Sequence, residues 1–324
     1  MKKLILSIAV IGSSVFNANA QQDPQYTQFM FDKLSVNPGV TGINGMYCGT
    51  VLYRNQWMGF DGAPKTILFN GSGPVNLLRG GVGISFYNDK IGFESNNLIR
   101  LSYAYHHDMG SNVLGIGISA GYAGKSLTPQ WQAGTTPAAA DPQLVNTLNG
   151  GSNGAFDLNF GLYFKDKIDD RYYAGLSATH LTAPSLNNVN IDIARHMWVM
   201  GGYRFDIGGG RTWSILTDVL AKSDLKSTQV DLGVRGFWNR KLWFGASYRH
   251  QDAVSPMVGY RHQLKTPEGS CSKMFVSFGA SYDVTLSGLS NYSSGTMELF
   301  AKFCFSPCKV IKIPPVPDVR RLGS

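Results

Sequence analysis

The stretch Met46-Tyr-Cys-Gly-Thr-Val-Leu-Tyr-Arg-Asn-Gln-Trp57, Met58-Gly-Phe-Asp-Gly-Ala-Pro64, Lys65-Thr-Ile-Leu-Phe-Asn-Gly-Ser-Gly-Pro-Val75 decides how the chain is read. On its first arm Tyr47, Val51, Tyr53 and Trp57 fall on one face, and Thr50, Arg54 and Gln56 on the other. That period of two marks a strand whose faces meet different media. Two glycines and a proline in the middle turn the chain back. The unit is a hairpin, and the chain repeats it to its end.

Beyond this hairpin the alternation recurs over Gly80–Asn88, Asn96–His107, Val113–Gly124, Gly154–Lys165, Arg171–Leu181, Arg195–Phe205 and Thr212–Ala221. It continues over Thr228–Trp238, Lys241–Arg249, Val254–His262, Lys273–Val284 and Gly295–Phe305, giving about fourteen segments in all. Ile99, Leu101, Tyr103 and Tyr105 oppose Arg100, Ser102 and Ala104; Val230, Leu232 and Val234 oppose Asp231, Gly233 and Arg235. In the last segment Met297, Leu299, Ala301, Phe303 and Phe305 point out and Glu298, Lys302 and Cys304 point in, with Phe300 the apolar exception inside. Abundant Gly (38 residues), 12% aromatics and only 15% charge go with this pattern. Together they predict an all-β fold, a transmembrane outer-membrane barrel of about fourteen antiparallel strands.

The ends of the chain read differently. Lys2 and Lys3, the apolar run Leu4 to Val15 and Ala18-Asn19-Ala20 form a secretory signal peptide over residues 1–20. Its apolar run is too short to span a bilayer. Residues 21–45 are expected as a periplasmic segment with a short helix, Asp23 capping it and Pro24 in its first turn. Tyr26, Phe29, Met30 and Leu34 then share one helix face. Asp23, Pro24, Tyr26, Phe29 and Met30 are the candidate docking residues of this segment, which either packs against the barrel's periplasmic rim or serves as a plug or a docking segment for a periplasmic partner. The barrel takes residues 46–305. Residues 306–324, with Pro314, Pro315 and Pro317, are expected as an extended periplasmic tail, since proline cannot extend a sheet. An even strand count puts both barrel ends in the periplasm. Lys125–Asn153 and Thr182–Ala194 then become long outer loops, and Asp166–Asp170, Asp206–Arg211 and Asn239–Arg240 short inner turns.

The remaining chemistry is sparse. The formal charge of +8 falls to +6 without Lys2 and Lys3, and it is scattered, so no nucleic-acid partner is expected. Cys48, Cys271, Cys304 and Cys308 all fall at the predicted periplasmic end, in a compartment that permits disulfides. Cys48 and Cys304 lie on the two strands that must close the barrel, and the last hairpin sets 271 opposite about 307–308. This favours Cys48–Cys304 and Cys271–Cys308 among the three possible pairings. The spacing lacks the paired C-x-x-C units of a zinc site, and the six His show no ligand spacing on a common element. Gly115-Ile-Gly-Ile-Ser-Ala-Gly121 reads as a strand with glycines on one face, not as a dinucleotide loop. No catalytic motif, metal site or cofactor is expected. Arg54, Arg100, Arg235, Arg249 and Arg261 face the lumen against Asp231 and Glu298, as a salt-bridged filling or, alternatively, as the lining of an anion-favouring channel.

Two stretches resemble the PorP/SprF family of type IX secretion outer-membrane proteins. One is Gln22-Asp-Pro-Gln-Tyr-Thr-Gln-Phe-Met-Phe31 with Asn37-Pro-Gly39 and Gly42 after it; the other is Tyr53-Arg-Asn-Gln-Trp57 with Gly59-Phe-Asp-Gly-Ala-Pro64. Gly39-Val-Thr-Gly42 stands where family members often have Ala-Tyr-Ala-Gly. The resemblance implies a non-enzymatic component of protein secretion, in some members linked to gliding motility. It implies an exported surface protein as partner, often an adhesin, handled through its C-terminal sorting domain, together with periplasmic components of the machinery. The loop from Gln56 to Pro64 is then extracellular. Gln56, Trp57, Met58, Phe60 and Asp61 become candidate partner-binding residues, and an aromatic girdle at the lipid interface is the other reading of Trp57. A diffusion porin or FadL-like ligand channel is the alternative function.

Overall fold

The alternation that begins at Met46 closes, in the computed structural model, into one barrel. The structure describes residues 23–128, 151–183, 185–186, 191–207, 212–264 and 272–306. Its strands are β1 (Tyr47–Asn55), β2 (Lys65–Val75), β3 (Gly80–Ile91), β4 (Glu94–Met109), β5 (Asn112–Leu127), β6 (Gly151–Asp166) and β7 (Tyr172–Thr179). They continue with β8 (His196–Ile207), β9 (Trp213–Ser223), β10 (Thr228–Trp238), β11 (Leu242–Arg249), β12 (Ala253–Leu264), β13 (Lys273–Thr285) and β14 (Thr296–Ser306). Each strand pairs antiparallel with its chain neighbours, and β1 closes on β14. Closure gives every described barrel strand a neighbour on both sides, which is what a sheet in lipid requires. No described helix is long and apolar enough to cross a membrane.

The two faces sort as the alternation predicts. Val51, Ile99, Leu101, Leu232, Val234 and Phe303 are exposed on the outside, while Thr50, Arg54, Arg100, Asp231, Arg235 and Glu298 are buried inside. The sheet ends define two poles. The connections 56–64 and 286–295, with residues 180–183 and 193–195, lie at one, the loop end. At the other, the terminal end, β1 begins, β14 stops and the connections 76–79, 110–111 and 167–171 lie.

Several boundaries differ from the sequence expectation. β4, β5 and β6 are 16 residues each, longer than their clean alternation, because the ladder continues through the polar runs at 94–97 and 152–153. Loop length does not separate the poles cleanly, since β3 and β4 are joined at the loop end by residues 92–93 alone. A two-residue ribbon, Ser185–Leu186 with Ile191–Asp192, stands in the β7–β8 connection. β14 runs one residue into the expected tail, to Ser306. The signal peptide, most of the long loop after Lys125, Cys271, Cys308 and the proline-rich tail beyond Ser306 lie outside the described residues.

The N-terminal segment departs furthest. Instead of an α-helix it forms three short 3-10 turns, Phe29–Phe31, Lys33–Ser35 and Pro38–Val40, and it sits inside the barrel. An α-helix would need its own backbone groups as partners. Here the wall takes them: Thr27 and Gln28 donate their N–H groups to the Glu298 carboxylate, at 2.9 and 2.7 Å, and the Phe31 carbonyl accepts from Lys302 Nζ at 2.7 Å. Asp23 caps no helix, because its carboxylate faces His180.

Candidate functional site

The inner segment runs the length of the lumen. Asp23 lies at the loop end, beside His180 and His196. Gly42 lies at the terminal end, where a Cβ would stand 2.6 Å from the Gly73 carbonyl oxygen. From there the chain turns out into β1. The face of the wall that meets this segment is what the structure adds to the sequence, and three groups of residues make it.

The first group is ionic. Arg54 on β1 reaches Asp283 of β13 at 2.8 Å and Glu298 of β14 at 2.9 Å, with all three side chains essentially buried. Arg54 and Glu298 are direct cross-strand partners at the closing seam. The two carboxylates also receive the segment: Thr27 Oγ1 donates to Asp283 at 2.8 Å, beside the two N–H groups on Glu298. Arg249 continues the network to Asp231 and Asp252, both at 3.2 Å, and Gln25 Nε2 donates to Asp231 at 2.9 Å. Buried charges persist only when paired and fully hydrogen-bonded, and here the segment supplies part of the pairing.

The second group is apolar. The Phe31 ring stacks on Phe300 with centroids 4.7 Å apart and lies 4.6 Å from that of Trp243, while the Arg235 guanidinium covers it at 4.8 Å. Phe300, the exception in the alternation of the last strand, is therefore the seat of this ring. Tyr26, Phe29 and Met30 are buried with Leu52, Leu68, Trp198 and Leu220 of the wall. Lys33 sits over the Tyr173 ring at 3.4 Å and donates to Tyr163 Oη at 3.1 Å.

The third group is bare backbone. Asn37 accepts from the Gly39 N–H at 2.8 Å and donates to the Leu162 and Leu176 carbonyls at 3.0 and 3.3 Å. This turn lies flat on glycines of β5, β6 and β7. A Cβ on Gly117 would stand 2.3 Å from the Pro38 carbonyl, and one on Gly161 2.2 Å from Asn37 Oδ1. Only glycine lets the two backbones approach this closely. The glycine run 115–121, which superficially resembles a nucleotide loop, is thus part of a bed for Asn37-Pro-Gly39.

At the loop end, His180 takes a left-handed backbone conformation, φ +57°, and turns its ring between two carboxylates. Nδ1 lies 2.9 Å from Asp157, and Nε2 lies 2.8 Å from Asp23. Asp157 is itself held by Arg100 Nε at 2.8 Å and Asn159 at 3.1 Å. Burial works against a charged His180, but the Asp23 charge and the contacts with both carboxylates outweigh it and push the imidazole up to about 9. His196, beside it at the start of β8, is buried with neither ring nitrogen bonded.

The residues singled out from the sequence fall in three places. Arg54, Arg100, Arg235 and Arg249 are buried in the lumen; Arg261 is half-buried, over the Phe275 ring with Nε 3.3 Å from Ser277 Oγ. Asp23, Pro24, Tyr26, Phe29 and Met30 belong to the inner segment. They meet the inside of the wall, in the plug position and not at the rim expected of a helix, because the wall supplies hydrogen bonds and apolar contacts along the segment. Gln56, Trp57, Met58, Phe60 and Asp61 form the loop-end turn of the first hairpin. Met58 N–H donates to the Gly295 carbonyl at 2.8 Å, and the Met58 carbonyl accepts from Ser294 N–H at 2.6 Å. Trp57 N–H donates to Thr296 Oγ1 at 3.0 Å. The first and last hairpin loops are thereby stitched together across the seam, with Phe60 and Asp61 exposed and Trp57 and Met58 half-buried. A disulfide joins Cys48 to Cys304 at the other end of the same seam, with Cα atoms 4.1 Å apart. Sequence reasoning did not single out His180 or His196. The signal was in the register: the β7–β8 hairpin sets Thr179 against His196, which brings the next residue, His180, to the same rim.

A sequence model of the family described as "Type IX secretion system membrane protein PorP/SprF" matches residues 18–303. Among curated proteins no sequence match is found. Solved structures with a similar fold include the toluene transporter TbuX of Ralstonia pickettii, 11% identical over 86% of this chain and 93% of that one, with a TM-score of 0.48. The outer membrane protein Omp33 of Acinetobacter baumannii is 13% identical over 80% and 99%, with a TM-score of 0.42. A FadL homologue of Pseudomonas aeruginosa is 10% identical over 87% and 94%, with a TM-score of 0.43. The membrane family and the closed barrel together place the chain in the outer membrane.

Proposed function

Because the chain belongs to the PorP/SprF family of type IX secretion membrane proteins, we propose that this barrel serves export by holding a secreted surface protein at the loop end, through that protein's C-terminal sorting domain. The observation that carries this reading is the ordered platform at the seam. The turn 56–61 is fixed by backbone hydrogen bonds to the last hairpin, and it presents Phe60, Asp61 and, from the partner loop, Tyr292 to the outside. Rigid exposed aromatics beside a charge are the composition of a protein-binding surface, because ordering them costs little on association. The seated inner segment supports a binding rather than a conducting role, since it occupies the lumen along its length with buried side chains. The terminal end then faces the periplasm, where components of the secretion machinery are the expected partners. An adhesin as cargo would extend the role to gliding motility. No chemistry is assigned to the barrel.

The test is a mild-detergent pull-down of the tagged protein from its native membrane, with mass spectrometry of what accompanies it. Recovery of a large exported protein by its C-terminal domain, lost in Phe60→Ala and Trp57→Ala, is expected. Recovery of the barrel alone, together with steady ion conductance in planar bilayers, would overturn the reading in favour of a porin or ligand channel.

A further inference from the structure

We propose that Asp23, His180 and His196 form a binding site for one divalent transition-metal ion, zinc by the chemistry of the donors. Each offers one ligand atom, and the three atoms lie within 4.8 Å of one another. Asp23 lies 2.8 Å from His180 Nε2 and 3.9 Å from His196 Nδ1. Ligands at zinc–nitrogen and zinc–oxygen distances of about 2.0–2.2 Å stand about 3.3 Å apart in a tetrahedron. Seating an ion there opens the 2.8 Å contact between Asp23 and His180 by about 0.5 Å and brings the His196 nitrogen about 0.6 Å closer to Asp23.

Two observations separate this cluster from an ordinary buried ion pair. His196 is only 1% exposed, and both of its ring nitrogens lack a hydrogen-bond partner. A buried imidazole left in that state forfeits the hydrogen bonds that water gives it in the unfolded chain, and a cation between it and Asp23 restores a partner. The second observation is the carboxylate behind His180. Asp157 takes Nδ1 at 2.9 Å and is anchored by Arg100 and Asn159, so Nε2 is the nitrogen turned to Asp23, and an ion bound there releases the Nε2 proton to solvent. A carboxylate orienting a histidine through its far nitrogen is how protein metal sites fix the tautomer and direction of the ligand ring. Arg100 Nη2 also stands 3.3 Å from Nε2, and its charge is balanced by Asp157.

Two imidazoles and one carboxylate form a donor set that suits zinc. A cavity of about 50 Å³ adjoins the three residues, lined in part by Asp89, Asn96 and Lys125. It has room for a water molecule as fourth ligand. Because Asp23 belongs to the inner segment and both histidines to the β7–β8 hairpin, the ion would pin the start of that segment to the wall at the loop end.

The test uses the mature protein purified in detergent, stripped with chelator, then equilibrated with zinc chloride alone and desalted. Elemental analysis should find about one zinc per chain. His196→Ala and Asp23→Asn should each bind at least ten-fold more weakly, whereas His250→Ala, on an exposed turn, should match the parent. Cobalt loading of the parent should give the intense visible absorption of a tetrahedral centre. Barrel folding is followed in parallel by heat-modifiable gel mobility. Asp23→Asn, nearly isosteric and outside the sheet, remains informative if the histidine variant does not fold. Parent protein that retains no zinc, or folded variants that retain as much as the parent, would overturn the proposal, as would a cobalt spectrum of the purely aqueous ion.

Discussion

On one side of the lumen, β1, β11, β13 and β14 grip the inner segment with charge: Arg54, Arg249, Asp283 and Glu298 surround Thr27 and Gln28. On the opposite side, β5, β6 and β7 grip it with an absence of side chains, glycines on which the Asn37-Pro-Gly39 turn lies flat. The first side is sensitive to what is removed, because each lost group strands a buried charge. The second is sensitive to what is added, because each new atom meets backbone that cannot yield. One segment is thus registered in the barrel twice, by electrostatics near its start and by shape near its end.

The ionic side should give the largest effect. Arg54→Ala leaves Asp283 and Glu298 buried without their main counter-charge and is expected to cost about 3–5 kcal/mol. Denaturant unfolding, followed by tryptophan fluorescence, would measure it. The comparison sharpens in the double variant Arg54→Met, Glu298→Gln. It removes both charges of the seam pair, while the amide oxygen introduced at position 298 can still accept from Thr27 or Gln28. It should therefore be less destabilising than Arg54→Ala alone. An equal or larger loss would mean that the hydrogen bonds, not the charges, dominate this side.

The glycine side should come next. Gly117→Val places a Cβ where the Pro38 carbonyl already lies 2.3 Å away, and overpacking of this kind costs about 1–3 kcal/mol. Its distinguishing sign is local: limited proteolysis should cut the inner segment in Gly117→Val while the barrel keeps its heat-modifiable mobility. Gly49→Ala, on the outer face with nothing within 4 Å of the new Cβ, is the control and should leave both readouts unchanged.

A smaller effect is expected where the glycine side does use a side chain. Ser177 Oγ on β7 donates to the Val36 carbonyl at 2.7 Å. Ser177→Ala leaves that buried carbonyl without this donor, a loss of about 1 kcal/mol measurable by the same unfolding transition.

Much of the wall was legible in the sequence, and the reason is physical. A sheet in lipid has one apolar face, so residues such as Ile99, Leu101, Val230 and Leu232 announce the strands at a period of two. What the period could not give was the inner segment. Tyr26, Phe29 and Met30 have helical spacing, and local propensity reads them as a helix. The partners that override it, Glu298 and Lys302, lie 271 residues along the chain from the groups they bind, and only the closed register brings them close. The same register explains Phe300, which breaks the alternation of β14 because it faces Phe31 rather than water. His180 and His196 escaped notice because neither element alone carries ligand spacing. Their proximity comes from a hairpin pairing and from an aspartate delivered by a third element.

Phe60 extends the comparison from the lumen to the loop end, and its stability effect should be the smallest. It is 45% exposed, and the turn around it is held by backbone groups of Met58, Ala63 and Gly295 that a side-chain change leaves intact. Phe60→Ala should therefore shift the unfolding free energy by no more than about 0.5 kcal/mol, as exposed substitutions do. Its binding effect should be far larger. Buried aromatic anchors at interfaces commonly contribute about 2 kcal/mol or more, so retention of the proposed exported partner in a pull-down should fall by about ten-fold or more. A variant that loses stability without losing the partner would assign Phe60 to the fold. The reverse pattern would divide the molecule cleanly, with the lumen residues serving the barrel and the seam platform serving the cargo.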